Sequence, residues 1–339
     1  MHRPVLACAM VLVLGACEGS SPPPPLAQVR IVDLDAARRI EPLPWVDTPV
    51  AESEPSATES PSTEPPASPV DRSPHVALGV PRDADPSDDL LLDRRVYVLS
   101  YNPTRRATNW VAWKLVASDI GKAKRTDKWL VDDDLPADVF KARPEDYARS
   151  GYDRGHMCPS ADRTASPTDN ALTFLLTNAL PQRADLNAGP WEKLEEFERH
   201  LALAKNKDVY IVAGAIFSPS PPVIGRALQV PNDFFKVIVA LEQGKGASDI
   251  GDDALVFAAI MPNVTGIQKR PWTDYSTTIA AVEKASGYDF NARVPPAAQA
   301  KLEQRQDVAT TTGPSTAPPP PSAKKGNPPA GGGVGKKKK

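Results

Sequence analysis

Gly151-Tyr-Asp-Arg-Gly-His-Met-Cys-Pro-Ser-Ala-Asp-Arg163 and, further on, Phe174-Leu-Leu-Thr-Asn-Ala-Leu-Pro-Gln-Arg-Ala-Asp-Leu-Asn-Ala-Gly-Pro-Trp-Glu-Lys-Leu-Glu-Glu-Phe-Glu-Arg199 are the two stretches on which the reading of this chain turns. The first is polar and carries glycine, as segments beside clefts do, and it sets Asp153 and Arg154 within three residues of His156. An imidazole that titrates near neutrality can take a proton from water, and a neighbouring guanidinium can hold a phosphate oxygen. Taken alone, such a tetrapeptide is more often a salt-bridged turn around a satisfied histidine. The second stretch predicts a helix over Ala188–Ala204, begun by Asn187 with Pro190 in its first turn, where a missing N–H costs nothing. Asn187, Trp191, Glu195 and Arg199 then recur every four residues along one face. An amide oxygen, a carboxylate and a guanidinium on one stripe suit a hydrated Mg²⁺ and a phosphodiester. The competing reading has Glu195 and Arg199 as an exposed ion pair and Trp191 in the core.

Around these stretches, runs rich in β-branched and aromatic residues predict strands at Arg95–Tyr101, Trp110–Val116, Thr173–Thr177, Val209–Phe217, Phe234–Leu241 and Leu255–Met261. Further helices are expected at Thr273–Lys284 and Pro296–Gln304. Without a steady βαβ alternation, this is an α+β domain. The glycine signatures of serine hydrolases, phosphate loops and dinucleotide folds are missing. Histidine is scarce: of four, His2 falls in an expected signal segment and His75 in an expected tether, which leaves His156 and His200 as candidate catalytic imidazoles. His200 is rotated off the Asn187 stripe and reads as a surface residue. The acidic run Asp132–Asp134 reads as a solvated turn without a role.

The 38 prolines among 339 residues crowd toward the two ends, so one folded core is expected between them. Residues 1–16 have the short basic start and apolar run of a signal peptide. Leu14-Gly-Ala-Cys17 resembles the lipobox of bacterial lipoproteins, in which the cysteine becomes the lipidated first residue. Residues 17–75 read as a Pro-rich tether, 76–304 as the folded domain, and 305–339 as a flexible tail ending in Lys336–Lys339 that suits an anionic polymer. With Cys8 removed and Cys17 lipidated, Cys158 is the remaining thiol, so no internal disulfide is expected, and the few soft ligands fit no zinc pattern. The net charge of −2 neither demands nor excludes a nucleic-acid partner.

Together the two stretches resemble the DNA/RNA non-specific endonucleases, the ββα-metal or His-Me finger enzymes that include mitochondrial endonuclease G. Asp153-Arg154-Gly155-His156 matches one motif of that family, and Asn178, Pro181-Gln182, Leu186-Asn187, Trp191, Glu195 and Arg199 match the other. The resemblance implies a central, mostly antiparallel sheet flanked by helices. It implies His156 as general base, Asn187 as the one side chain directly on the metal, and Glu195 acting through metal-bound water. Arg154, Arg125 and Arg199 would contact phosphate and transition state, with Asn178 and Asp153 in support. The implied ion is Mg²⁺, with Mn²⁺ as a substitute, and the implied substrates are DNA and RNA with little sequence preference. An inhibitor protein is not legible in the sequence, although a nuclease with access to the cell's own nucleic acids has reason to need one. Cys158 and Pro190 depart from the family pattern. The place implied is the bacterial envelope, an outer-membrane lipoprotein because Glu18 rather than Asp follows Cys17, or outside the cell if Cys17 is not lipidated. Two rival readings stand beside this one: a catalytically silent nucleic-acid-binding lipoprotein, and an enzyme with Cys158 as nucleophile.

Overall fold

The computed structural model describes residues 69–307. The signal segment, Cys17, nearly all of the tether and the lysine tail lie outside the described residues. A seven-stranded antiparallel sheet runs in the order β1-β2-β3-β6-β9-β10-β11. Its strands are β1 (Leu90–Asp93), β2 (Val98–Asn102), β3 (Ala107–Leu115), β6 (Lys207–Ile216), β9 (Asp233–Glu242), β10 (Leu255–Pro262) and β11 (Ser276–Thr277). A separate two-stranded pair joins β4 (Asp153–His156) to β5 (Ala179–Gln182), and a second small pair joins β7 (Val223–Ile224) to β8 (Leu228–Gln229). The helices are α1 (Pro167–Leu172), α2 (Ala184–Leu186), α3 (Glu192–Leu203), α4 (Ile279–Ser286) and α5 (Pro296–Gln304).

The long apolar runs are what two-sided burial requires, because successive side chains on a strand point to opposite faces. In β9, Phe234, Ile238 and Ala240 enter the core beneath α3, whereas Phe235, Val237, Val239 and Leu241 join the core beneath α4 and α5. Strands β3, β6 and β10 divide in the same way. The α3 side is the one that also holds the β4–β5 pair, through Met157, Ala179 and Leu180.

Three expectations are corrected. Thr173–Thr177 is not a strand: Asn170 and Ala171 carbonyls take the N–H groups of Thr173 and Phe174 at the end of α1, and only Leu175 makes a single parallel bridge, to Leu130. The helix expected from Thr273 begins at Ile279, because Ser276 and Thr277 pair with Ala259 and Ala258 and the Thr278 side chain then caps the first turn through Ala281 N–H. Residues 69–75, read as the end of a tether, form 3-10 turns in which Val70 is fully buried. His75 is held there, accepting from Lys114 N–H at 3.2 Å, with its other ring nitrogen 2.9 Å from the Arg95 carbonyl.

Candidate active site

β4 and β5 run antiparallel with Asp153 opposite Gln182 and His156 opposite Ala179. Gly155 is required here by close approach: a Cβ on it would sit 2.1 Å from Gln182 Oε1. From β5 the chain passes directly into α2, a turn over Asn187–Trp191, and α3, so two strands and a helix form one unit. Asn187 does not begin the helix, as the sequence reading had it, but closes the short α2 with helical angles. The helix then breaks at Ala188 and Gly189 and restarts at Pro190. Glycine is required at 189, since the Gln268 backbone lies 2.8 Å from where a Cβ there would be. Pro190 stands near the restart, where its missing N–H is no loss.

Two hydrogen bonds lash β4 to this helix. Asn187 Nδ2 donates to Asp153 Oδ2 at 3.0 Å, and Trp191 Nε1 donates to the His156 carbonyl at 3.4 Å. Both ends of the Asp-Arg-Gly-His strand are therefore set by residues four apart that flank the helix break, Asn187 before it and Trp191 after it. The Asn187 Oδ1, the atom able to bind a cation, accepts no hydrogen bond among the described residues.

His156 is nearly buried, and its Nε2 is enclosed without a hydrogen-bond partner. Trp129 lies 4.6 Å from the imidazole, centroid to centroid, and Phe174 meets it edge-on at 4.9 Å. Arginines complete the stack: the Arg154 guanidinium sits 5.3 Å over Trp129 and that of Arg125 sits 4.9 Å over Phe174. Burial first, then Arg125 and Arg154, lower the imidazole pKa from 6.5 to about 3. This is lower than the near-neutral value expected from sequence, because the aromatic walls remove the water that would stabilise the imidazolium. The ring is held in its proton-accepting form.

The remaining predicted residues fall around this pair. Glu195 is half-buried, and burial raises its carboxyl to about 8 against the opposing pull of Lys236 and Arg199. Arg199 does not lie on a solvated face with Glu195 as partner; its Nη1 donates to buried Asp162 at 2.9 Å, and Trp113 Nε1 donates to the same carboxylate at 3.0 Å. Asn178 is a brace: its amide oxygen accepts from Cys158 N–H, and its Nδ2 donates to the Cys158 and Thr173 carbonyls. Arg125 is partly exposed and donates to Ser160 Oγ at 2.7 Å and to Asp127 at 2.8 Å. Asp153 is exposed and Arg154 half-buried. Cys158 is fully buried and burial pushes its thiol pKa up, so it is not a nucleophile. His200 is exposed, as expected.

Sequence reasoning missed Trp129 and Phe174, which wall the imidazole, and the fully buried pair in which Lys236 donates to Glu198 at 2.9 Å. Lys236 also sits 4.5 Å over the Trp191 ring. A lone lysine inside the apolar run Phe234-Phe-Lys-Val-Ile-Val239 was the available signal, since such a charge requires a partner. Asp132 is a further correction: it is not solvated but pairs with buried Arg94 and accepts from Thr177 Oγ1 at 2.6 Å, next to Asn178. Among the described residues, the trios of acidic or soft ligands are Asp83, Asp88 and Asp89, and Glu283, Asp289 and Glu303; neither includes a residue of the strand–helix unit. A cation at this unit would thus rest on Asn187 and on water held by neighbouring carboxylates. The free amide oxygen beside Asp153 fits a cation that keeps most of its hydration shell.

The comparisons agree with this geometry. The model described as DNA/RNA non-specific endonuclease matches residues 80–297. A nuclease from Nostoc sp. is 39% identical over 238 residues, covering 69% of this chain and 86% of that protein. Human mitochondrial endonuclease G is 30% identical over 212 residues, covering 59% of this chain and 69% of its own. A crystal structure of an EndoG/EndoGI complex, described as giving the mechanism of EndoG inhibition, superposes with a TM-score of 0.56 at 26% identity, covering 68% of this chain and 95% of that one. With a ββα unit, an antiparallel α+β fold and this match over most of its length, the chain belongs to the DNA/RNA non-specific endonuclease family and is a nuclease that hydrolyses phosphodiester bonds.

Proposed function

We propose that this nuclease is Mg²⁺-dependent, cuts DNA and RNA alike, and uses His156 as general base and Asn187 as the direct metal ligand. The observation that carries this reading is the lashing of β4 to the helix, with the unpartnered His156 Nε2 at one end and the free Asn187 Oδ1 at the other. His156 takes a proton from water, the water oxygen bonds to phosphorus, and the bond to the 3′ oxygen breaks. Phosphate oxygens arriving at Arg125 and Arg154 offset two of the three causes that depress the imidazole pKa, so the ring gains basicity when substrate is in place. The cation, when bound, supplies charge neutralisation for the phosphate and a water acidic enough to protonate the leaving oxygen. Asn187, held by Asp153, would be its direct ligand, Glu195 would act through its water, and Mn²⁺ would substitute for it. No group in the site reads base edges, which favours cleavage without regard to sequence or sugar.

The lipobox-like Leu14-Gly-Ala-Cys17 supports the further proposal that the enzyme is an outer-membrane lipoprotein of the bacterial envelope, or acts outside the cell if Cys17 stays unmodified. An inhibitor protein, of the kind named for the related EndoG, is the proposed partner besides nucleic acid. The test is cleavage of plasmid and of RNA by wild type, His156→Ala and Asn187→Ala, with Mg²⁺ and with EDTA. Cleavage by wild type in Mg²⁺ that EDTA and either substitution abolish is the expected outcome; undiminished cleavage by His156→Ala refutes the assignment of the base.

A further inference from the structure

Residues 121–130 run past the site as an extended segment with neither helix nor strand ladder. Ala123, Thr126 and Trp129 are partly buried and every residue between them is exposed, so the segment lies on the surface as a strap, with a local turn where Lys128 N–H donates to the Thr126 carbonyl at 3.0 Å. The inward positions are anchored. Ala123 N–H donates to the Thr164 carbonyl at 2.9 Å, Thr126 N–H to Asn170 Oδ1 at 3.1 Å, and Leu130 N–H to the Phe174 carbonyl at 3.0 Å. The outward positions include Lys122, Lys124, Arg125 and Lys128. Arg125 is engaged with Ser160 and Asp127, but among the described residues none of the three lysines makes an ion pair. Exposed lysines without an ion pair also occur elsewhere among the described residues, as at Lys205, Lys269, Lys284 and Lys301, so what sets these three apart is their place on the segment that leads to Trp129. The strap ends at Trp129, whose ring lies against His156.

We infer that the strap Lys122–Lys128 is the track for the nucleic-acid strand beyond the scissile phosphate, each lysine meeting a different phosphate. The inference rests on the nuclease reading of the site and names how its substrate is gripped. Lys122, Lys124 and Lys128 stand two and then four residues apart along the strap. A duplex strand presents a phosphate every ~3.4 Å along its axis, so three separate contacts fit. Anchoring matters because the backbone is ordered before substrate arrives, and only lysine rotamers remain to be fixed on binding. The contacts carry no base information, in keeping with a non-specific enzyme.

The experiment compares the full wild-type chain with the triple variant Lys122→Gln, Lys124→Gln, Lys128→Gln. Binding to a short DNA duplex is measured in EDTA at several salt concentrations, and steady-state cleavage in Mg²⁺. Each lost phosphate contact lowers the slope of log affinity against log salt by about 0.9, so the triple variant should lose roughly 2.7 from it. Between 50 and 200 mM salt the wild type then loses about 40-fold more affinity than the variant does. In cleavage, the change falls on KM rather than kcat. A control removing exposed Lys284 and Lys301, on α4 and α5 across the sheet, leaves the slope in place. An unchanged slope in the triple variant overturns the inference, as does a loss that falls on kcat alone. Absence of cleavage by wild type would strike the nuclease mechanism instead, while the EDTA binding arm still decides about the strap.

Discussion

The central sheet buries both faces, yet the same strands furnish them differently. Beneath α4 and α5, β9 presents Phe235, Val237 and Val239; beneath α3 it presents Phe234, Lys236 and Ile238. The α3 face also buries Glu198, Asp162 and Arg199. Apolar filling stabilises without direction, whereas a buried ion pair adds little net stability but allows few arrangements. Along β9 the contrast is one of filling on one side and positioning on the other. Lys236 joins Glu198 to the Trp191 ring, and Trp191 holds the His156 carbonyl, so the buried charge is linked by contact to the base.

The largest expected effect tests the positioned end. His156→Ala should lower kcat by about 10²- to 10⁴-fold, the usual contribution of a general base. The substitution also empties space between Trp129 and Phe174 and lowers the melting temperature somewhat, so kcat is compared at a temperature where both proteins are folded. Next comes the apolar face: Phe235→Ala, fully buried, should cost about 3–5 kcal/mol in denaturant unfolding with kcat of the folded fraction unaltered. On the α3 face Lys236→Ala should cost a similar ~3–5 kcal/mol by stranding the Glu198 charge. The double exchange Lys236→Met with Glu198→Leu separates the two faces. It should recover wild-type stability or exceed it, yet lower kcat by up to about 10²-fold as Trp191 and β4 shift by about 1 Å. Recovered stability together with undiminished kcat would break the comparison.

This division also explains what the sequence revealed. The long strands β3, β6, β9 and β10 were legible because each face is filled by a period-two apolar pattern. So were the two motif stretches, since Asp153 and His156 share the short strand β4 and Asn187 and Glu195 follow its partner β5 within a few turns of chain. Illegible were the elements set by distant partners. The start of α4 depends on β11 pairing with β10, and the need for glycine at 189 depends on the Gln268 backbone. Trp129 and Phe174 meet only in space around His156, and Asp132 looked like part of an acidic turn because buried Arg94 is far from it in sequence. The stripe from Asn187 to Arg199 was right in its lower part and interrupted above it, since local periodicity cannot report a kink.

The smallest effect concerns the aromatic walls, and it sharpens the comparison most finely because it separates positioning from bulk burial. Burial is the first cause of the depressed His156 pKa, ahead of Arg125 and Arg154. Trp129→Ala admits water to one face of the ring and frees Arg154 from its stack, so the pKa should climb from about 3 part of the way to 6.5, whereas Trp129→Phe should restore most of the depression. NMR titration of the imidazole Cε1–H reads this directly, with His156→Ala providing the assignment. The sign carries over to stability. Between pH 6.5 and about 3 the unfolded chain binds a proton that folded His156 refuses, so folding is favoured above that window and weakens as pH falls through it. His75, lowered to about 4 chiefly by its own burial, adds to the same slope and is untouched by the substitution. Trp129→Ala should therefore flatten the acid decline of stability without removing it. If the decline stays as steep as in wild type while the titration is also unmoved, the walls are filling and nothing more, and the α3 face works at this point just as the apolar face does.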